Sequence, residues 1–179
     1  MSNLVFIGDS LTQWCDWEQR FPDHQVTNLG ISGETVEGLL ARRDRIRAAV
    51  VSPNLVFLMT GINNIANEQY DILAPYQEIV RNLTTWYKKS TIVVQSILPV
   101  ELTWVDNNAI KNTNRDLAAI AREYHSEYLD VYSLFVDHKD IPKKGLLSED
   151  GVHLANKGYD VWAGEVKRFL KGRGRNPGE

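Results

Sequence analysis

Four short segments of the 179-residue chain carry side chains that could do chemistry. They are Gly8-Asp9-Ser10-Leu11-Thr12, Asn28-Leu29-Gly30-Ile31-Ser32-Gly33, Gly61-Ile62-Asn63-Asn64 and Asp150-Gly151-Val152-His153-Leu154. A serine hydroxyl is a poor nucleophile until a neighbouring base takes its proton. Among the four histidines, His153 is the one whose context supplies an orienting acid, Asp150, three positions earlier. One loop can carry both groups, with the carboxylate on the ring nitrogen that faces away from a serine. Such a carboxylate fixes the tautomer and stabilises the imidazolium. Each segment also has a plainer reading. Gly-Asp-Ser can be a turn with an N-cap, the glycines turn punctuation, Asn63-Asn64 an Asx turn and Asp150-Gly151 a tight turn.

The elements that must position these residues alternate between short apolar runs and longer helical patterns. Leu4–Ile7, Leu55–Met59 and Thr91–Val94 read as strands, the first two as continuous apolar runs buried on both faces. Val26–Leu29 is a weaker strand pattern, and Tyr128–Val131 supplies a fifth. Ile72, Leu73, Tyr76, Ile79, Val80, Leu83 and Tyr87 form one stripe at three- and four-residue spacing. Thr35–Val50, Asn108–His125 and Asn156–Leu170 show weaker versions of that period, and Pro53 closes the first of these and introduces the next strand. This alternation implies an α/β fold, a parallel five-stranded sheet with helices on both faces. In such sheets, working residues gather on loops beyond the carboxyl ends of the strands. All four segments sit at such loops or before the last helix.

Composition excludes several classes. Hydrophobic residues make up 43% and charged residues 24%, which is ordinary globular usage and argues against disorder. The formal charge of −3 lacks the basic excess of a nucleic-acid binder. The single cysteine, Cys15, excludes an intrachain disulfide and a cysteine-rich zinc site. His24, His125 and His138 lack metal-ligand spacing, and no phosphate-cradling glycine motif occurs, so neither metal nor cofactor is expected. With no long apolar run and no signal-peptide pattern, the chain reads as cytoplasmic, with no membrane partner. One domain over residues 1–171 is expected, followed by a flexible tail at 172–179 rich in glycine.

A serine, a glycine, an asparagine and a histidine on separate strand-end loops, in that order, resemble the signature blocks of the SGNH (GDSL-type) hydrolases. The resemblance runs from Gly8 to Leu154, and the Gly-Asp-Ser-Leu and Asp-x-x-His-Leu blocks are specific as a pair. The third block departs from the common Gly-x-Asn-Asp, because Asn64 stands where the family has aspartate. The family's aspartate holds a place in that loop that Asn64 must fill otherwise.

The resemblance implies a flavodoxin-like three-layer sandwich and a serine esterase acting on small-molecule carboxylic esters. It makes Ser10 the nucleophile, His153 the base and Asp150 its orienter. It assigns the oxyanion hole to the N–H groups of Ser10 and Gly30 and the side-chain amide of Asn63. Glycine suits position 30 if substrate must approach the backbone, and an asparagine amide donates without a titratable charge. The order Ser…Asp…His is that of α/β-hydrolases, but their Gly-x-Ser-x-Gly elbow is absent. Asp9 reads as a hydrogen-bonder that holds the loop. Trp14 and Trp104 are candidates for the walls of a substrate pocket, against the plainer reading of tryptophan as packing. A thioesterase or a carbohydrate O-acetyl esterase would use the same site. A non-catalytic flavodoxin-like binding module is the reading from another class. The acyl group and the oligomeric state are not legible.

Overall fold

A computed structural model describes residues 1–173. Five parallel strands, β1 (Asn3–Gly8), β2 (Gln25–Gly30), β3 (Leu55–Met59), β4 (Thr91–Gln95) and β5 (Glu127–Leu129), form one sheet in the order β2-β1-β3-β4-β5. The pairing of Gly8 with both Gly30 and Met59 puts the carboxyl ends of the three strands on one edge, level with Ser10. β3 is buried at every position, as its unbroken apolar run requires. β2 is an edge strand with no fully buried residue, which explains its faint pattern.

Nine helices connect and cover the sheet: α1 (Ser10–Gln13), α2 (Trp17–Arg20), α3 (Val36–Ala41), α4 (Arg43–Ala49), α5 (Ile62–Ala66), α6 (Leu73–Trp86), α7 (Asn107–Glu123), α8 (Tyr132–Phe135) and α9 (Asn156–Arg173), counted among the described residues. One face presents Phe6 and Phe57, stacked at 4.9 Å. Trp17 of α2 stacks on Phe6 at 3.8 Å and meets Trp162 of α9 edge-on, and Phe169 of α9 meets Phe57. Trp17 is thus a core ring, and burying rings of this size contributes much of the area term that holds the layers together. Helices α3, α6 and α7 pack in a row, with Tyr76, Ile79, Val80 and Leu83 on the buried stripe of α6.

Several boundaries differ from the sequence reading. The single helix expected over Thr35–Val50 breaks at Arg42, whose guanidinium turns inward to Glu34 and Leu29. The fifth strand stops at Leu129 because the N–H groups of Val131 and Tyr132 both donate to the buried Ser96 hydroxyl, which starts α8 instead. Helix α9 continues through Gly172 and Arg173, and the rest of the expected tail lies outside the described residues. No described helix is long and apolar enough to cross a membrane.

Candidate active site

Ser10 begins α1 directly after β1. Asp9 caps that helix: one carboxylate oxygen accepts from Leu11 N–H at 3.0 Å, while the other is buried without a partner among the described residues. Burial pushes the Asp9 carboxyl up to about 7, against the Leu11 hydrogen bond and with the Glu34 charge adding to the rise. Asp9 therefore holds the loop, as expected, by capping α1. The side-chain amide of Asn28, on β2, donates to the Thr12 and Gln13 carbonyls and ties the end of α1 to the sheet.

The histidine arrives from a loop 143 residues away. Ser10 Oγ lies 3.0 Å from His153 Nε2, and His153 Nδ1 lies 2.6 Å from Asp150 Oδ2. With Nδ1–H donating to the carboxylate, Nε2 is the acceptor that faces the serine hydroxyl. The other Asp150 oxygen accepts from Val152 N–H, His153 N–H and the Ser148 hydroxyl at 2.8–3.0 Å. Burial alone would raise the Asp150 carboxyl, but these bonds and the imidazole outweigh it and hold the group well below the usual carboxylate range. Gly151 makes the turn at φ +72°, and its carbonyl accepts from Glu101 N–H at 2.8 Å, bracing the loop against the segment after β4.

The oxyanion donors expected from the sequence fare unequally. Ser10 N–H stands at the first position of α1, where no intrahelical acceptor exists. The Asn63 amide donates to the Glu34 carbonyl at 2.9 Å, and its second hydrogen remains. Gly30 does not fit its assigned part. Its N–H donates to Asn28 Oδ1 at 3.0 Å, so it is already spoken for. A Cβ there would sit 2.3 Å from the Gln13 nitrogen, so α1, and not a substrate, is what needs the glycine. Three residues on, Gly33 is exposed, with φ +75°, open space where a Cβ would stand, and an N–H without an acceptor among the described residues. The sequence showed both glycines but not which N–H was free.

Asn64 resolves its own departure from the family pattern. It is 1% exposed, and its oxygen accepts from Val36 N–H at 2.9 Å while its amide donates to Glu37 Oε2 at 2.8 Å. An aspartate here would keep the first bond and set two carboxylates against each other in the second. Asn64→Asp should therefore lower stability by about 1–3 kcal/mol at pH 7. Glu37→Gln, which supplies a donor, should restore most of the loss. Thermal melts of the single and double variants check this; equal melting points for Asn64→Asp and the wild type would remove the account.

The two candidate wall residues are both surface rings. Trp14, 56% exposed, stacks on the His153 imidazole with centroids 4.1 Å apart. Trp104, 58% exposed, donates its indole N–H to the Ala66 carbonyl at the end of α5, three residues beyond Asn63. Residues whose part the sequence did not reveal are Gln13, which accepts from Ser32 N–H at 2.7 Å, the Glu34–Arg42 pair and Ser148.

Residues 6–161 match the GDSL-like Lipase/Acylhydrolase family. Among curated proteins, the chain is 26% identical over 164 residues to platelet-activating factor acetylhydrolase IB subunit alpha1 of Rattus norvegicus, covering 87% of this chain and 69% of that one. Among solved structures, a member of the lipolytic protein G-D-S-L family from Veillonella parvula superposes with TM-score 0.78 at 19% identity, covering 94% of this chain and 98% of that one. An acetyl-xylooligosaccharide esterase from Geobacillus stearothermophilus superposes with TM-score 0.75 at 24% identity, covering 93% of each chain. These structures share the parallel five-stranded fold. With most of its length inside the family match, from β1 into α9, the chain belongs to the GDSL-like lipase/acylhydrolase family, a family of carboxylic ester hydrolases.

Proposed function

We propose that this protein is a serine esterase that cleaves small acyl groups from alcohols through an acyl-enzyme. The observation that carries the reading is the unbroken relay from Ser10 Oγ through His153 to Asp150, at 3.0 and 2.6 Å. Ser10 Oγ attacks the ester carbonyl as its proton passes to His153 Nε2. The carbonyl oxygen takes the negative charge of the tetrahedral intermediate. Collapse expels the alcohol, which leaves with the proton from His153, and Ser10 keeps the acyl group. Water then attacks the acyl-serine, gives its proton to His153, and the acid departs as the proton returns to Ser10. Donors for the oxyanion are Ser10 N–H, the free hydrogen of the Asn63 amide and, in place of Gly30, the N–H of Gly33.

The short acyl chain is favoured by an open rim. Trp14, Ile31 and Gly33 are exposed around the serine and do not roof a tunnel. The names of the rat relative and of the Geobacillus neighbour both specify an acetyl group. A carbohydrate alcohol is the specific form favoured by Trp14, whose exposed indole face beside His153 suits a sugar ring.

One experiment tests the reading. The protein is treated with a fluorophosphonate and the adduct mapped by mass spectrometry, alongside turnover of p-nitrophenyl esters from acetate to palmitate and of an acetylated xylooligosaccharide. The adduct should fall on Ser10 and acetate should outpace palmitate. An adduct on another serine removes the mechanism, and faster palmitate turnover removes the small-acyl specificity.

A further inference from the structure

We propose that Arg42 is a positioning residue for the oxyanion hole, acting through Glu34 on the Asn63 amide; the inference rests on the oxyanion role given to Asn63 above. Arg42 stands at the break between α3 and α4, where its side chain turns in toward the loop that follows β2. Its Nε donates to Glu34 Oε1 at 2.6 Å and its Nη2 to Glu34 Oε2 at 2.7 Å. The same Nη2 donates to the Leu29 carbonyl at 2.7 Å. One guanidinium thus grips both ends of the stretch Gly30-Ile31-Ser32-Gly33, whose last three residues are exposed. The Glu34 main-chain carbonyl is in turn the acceptor that orients the Asn63 side chain, at 2.9 Å.

Physical arguments favour positioning over plain stabilisation. The side chains of Arg42 and Glu34 are only 13% and 7% exposed. Desolvating such a pair cancels much of its attraction, so an apolar pair would serve stability as well. What an apolar pair cannot do is fix a carbonyl oxygen to a fraction of an ångström. The planar fork of arginine does this by three directed bonds, and the loop it fixes contains glycines that would otherwise sample many conformations. The bond from Asn63 to Glu34 converts that order into the direction of the free amide hydrogen.

The test is a double-mutant cycle between Arg42→Lys and Asn63→Ala, read as kcat and KM on p-nitrophenyl acetate. Lysine keeps the charge and loses the fork. Arg42→Lys should lower kcat roughly tenfold with KM within about twofold, since a misaimed donor affects the transition state more than binding. In the Asn63→Ala background, the same change should lower kcat by less than about threefold, because the group it aims is gone. If Arg42→Lys does not fold, Glu34→Gln, which keeps an acceptor for one guanidinium hydrogen, runs in the same cycle with the same expectation. An equal kcat loss in both backgrounds, or a lowered melting point with kcat unchanged, overturns the positioning role while leaving that of Asn63 intact. A full-rate Asn63→Ala enzyme overturns the oxyanion role itself and the inference with it.

Discussion

Replacing Ser10 by alanine is expected to lower kcat by roughly 10⁶-fold, the scale seen when the nucleophile of a serine hydrolase is removed, while the fold persists. The hydroxyl makes one side-chain hydrogen bond, to His153, and anchors no part of the core. Its loss leaves the imidazole still held by Asp150 and no cavity larger than an oxygen atom. The melting temperature should move little. Activity should fall to a residue supplied by the oxyanion donors and binding alone, about 10³-fold above the uncatalysed reaction. Steady-state kinetics and melts on one preparation check both halves. Retained activity would mean that another group attacks the ester.

The second large effect is expected at Asp150. Asparagine at this position can keep one oxygen as acceptor for Val152 N–H, His153 N–H and the Ser148 hydroxyl, so the loop should hold its shape. The other position changes from acceptor to donor. An amide N–H facing His153 Nδ1 favours the tautomer with its hydrogen on Nε2, which cannot take the Ser10 proton. On the protease scaffold where this exchange is the standard example, the loss in kcat is about 10⁴, and a drop of that order is expected here with KM little changed. A variant near the wild-type rate would show that Asp150 does not set the tautomer.

The pH dependence of that variant follows from the direction of the Asp150 shift. Its carboxyl is held below its ordinary value in the folded protein, so the unfolded chain binds the proton first. The stabilisation is then complete above about pH 4, where the unfolded carboxyl is already ionised, and is lost as pH falls below that. Asp150→Asn lacks it at every pH. The gap in melting temperature between wild type and variant should therefore narrow as pH falls below about 4. With the side chain 53% exposed, the gap itself is small. Asp150 is also ionised throughout the range in which esterase activity is assayed, so an activity loss between pH 8 and 5 belongs to another group.

The strands and the main helices were legible because their signals are local. β1 and β3 are uninterrupted apolar runs, and α6 carries its buried stripe at helical spacing. Asp150 and His153 are three residues apart, so their turn is encoded in adjacent residues, and the 2.6 Å bond between them needs only Gly151 at positive φ. The SGNH resemblance extended that local reading to Ser10, which the sheet order then sets beside His153.

Tertiary structure alone decided which backbone donors are free and what aims them. Gly30 and Gly33 look alike along the chain. One is bonded to Asn28 and pressed against Gln13, the other is open, and that difference is made by α1 crossing the end of β2. Trp14 and Trp17 are equally apolar in sequence, yet one lies open on His153 and the other closes the core against Phe6 and Trp162. Arg42 sits inside a helical period that carries no sign of the break, because its three acceptors lie eight and thirteen residues away in a loop whose path the sheet determines. Periodicity records which face of an element is buried; a hydrogen bond between elements depends on where a second segment passes, and no spacing along the chain records that.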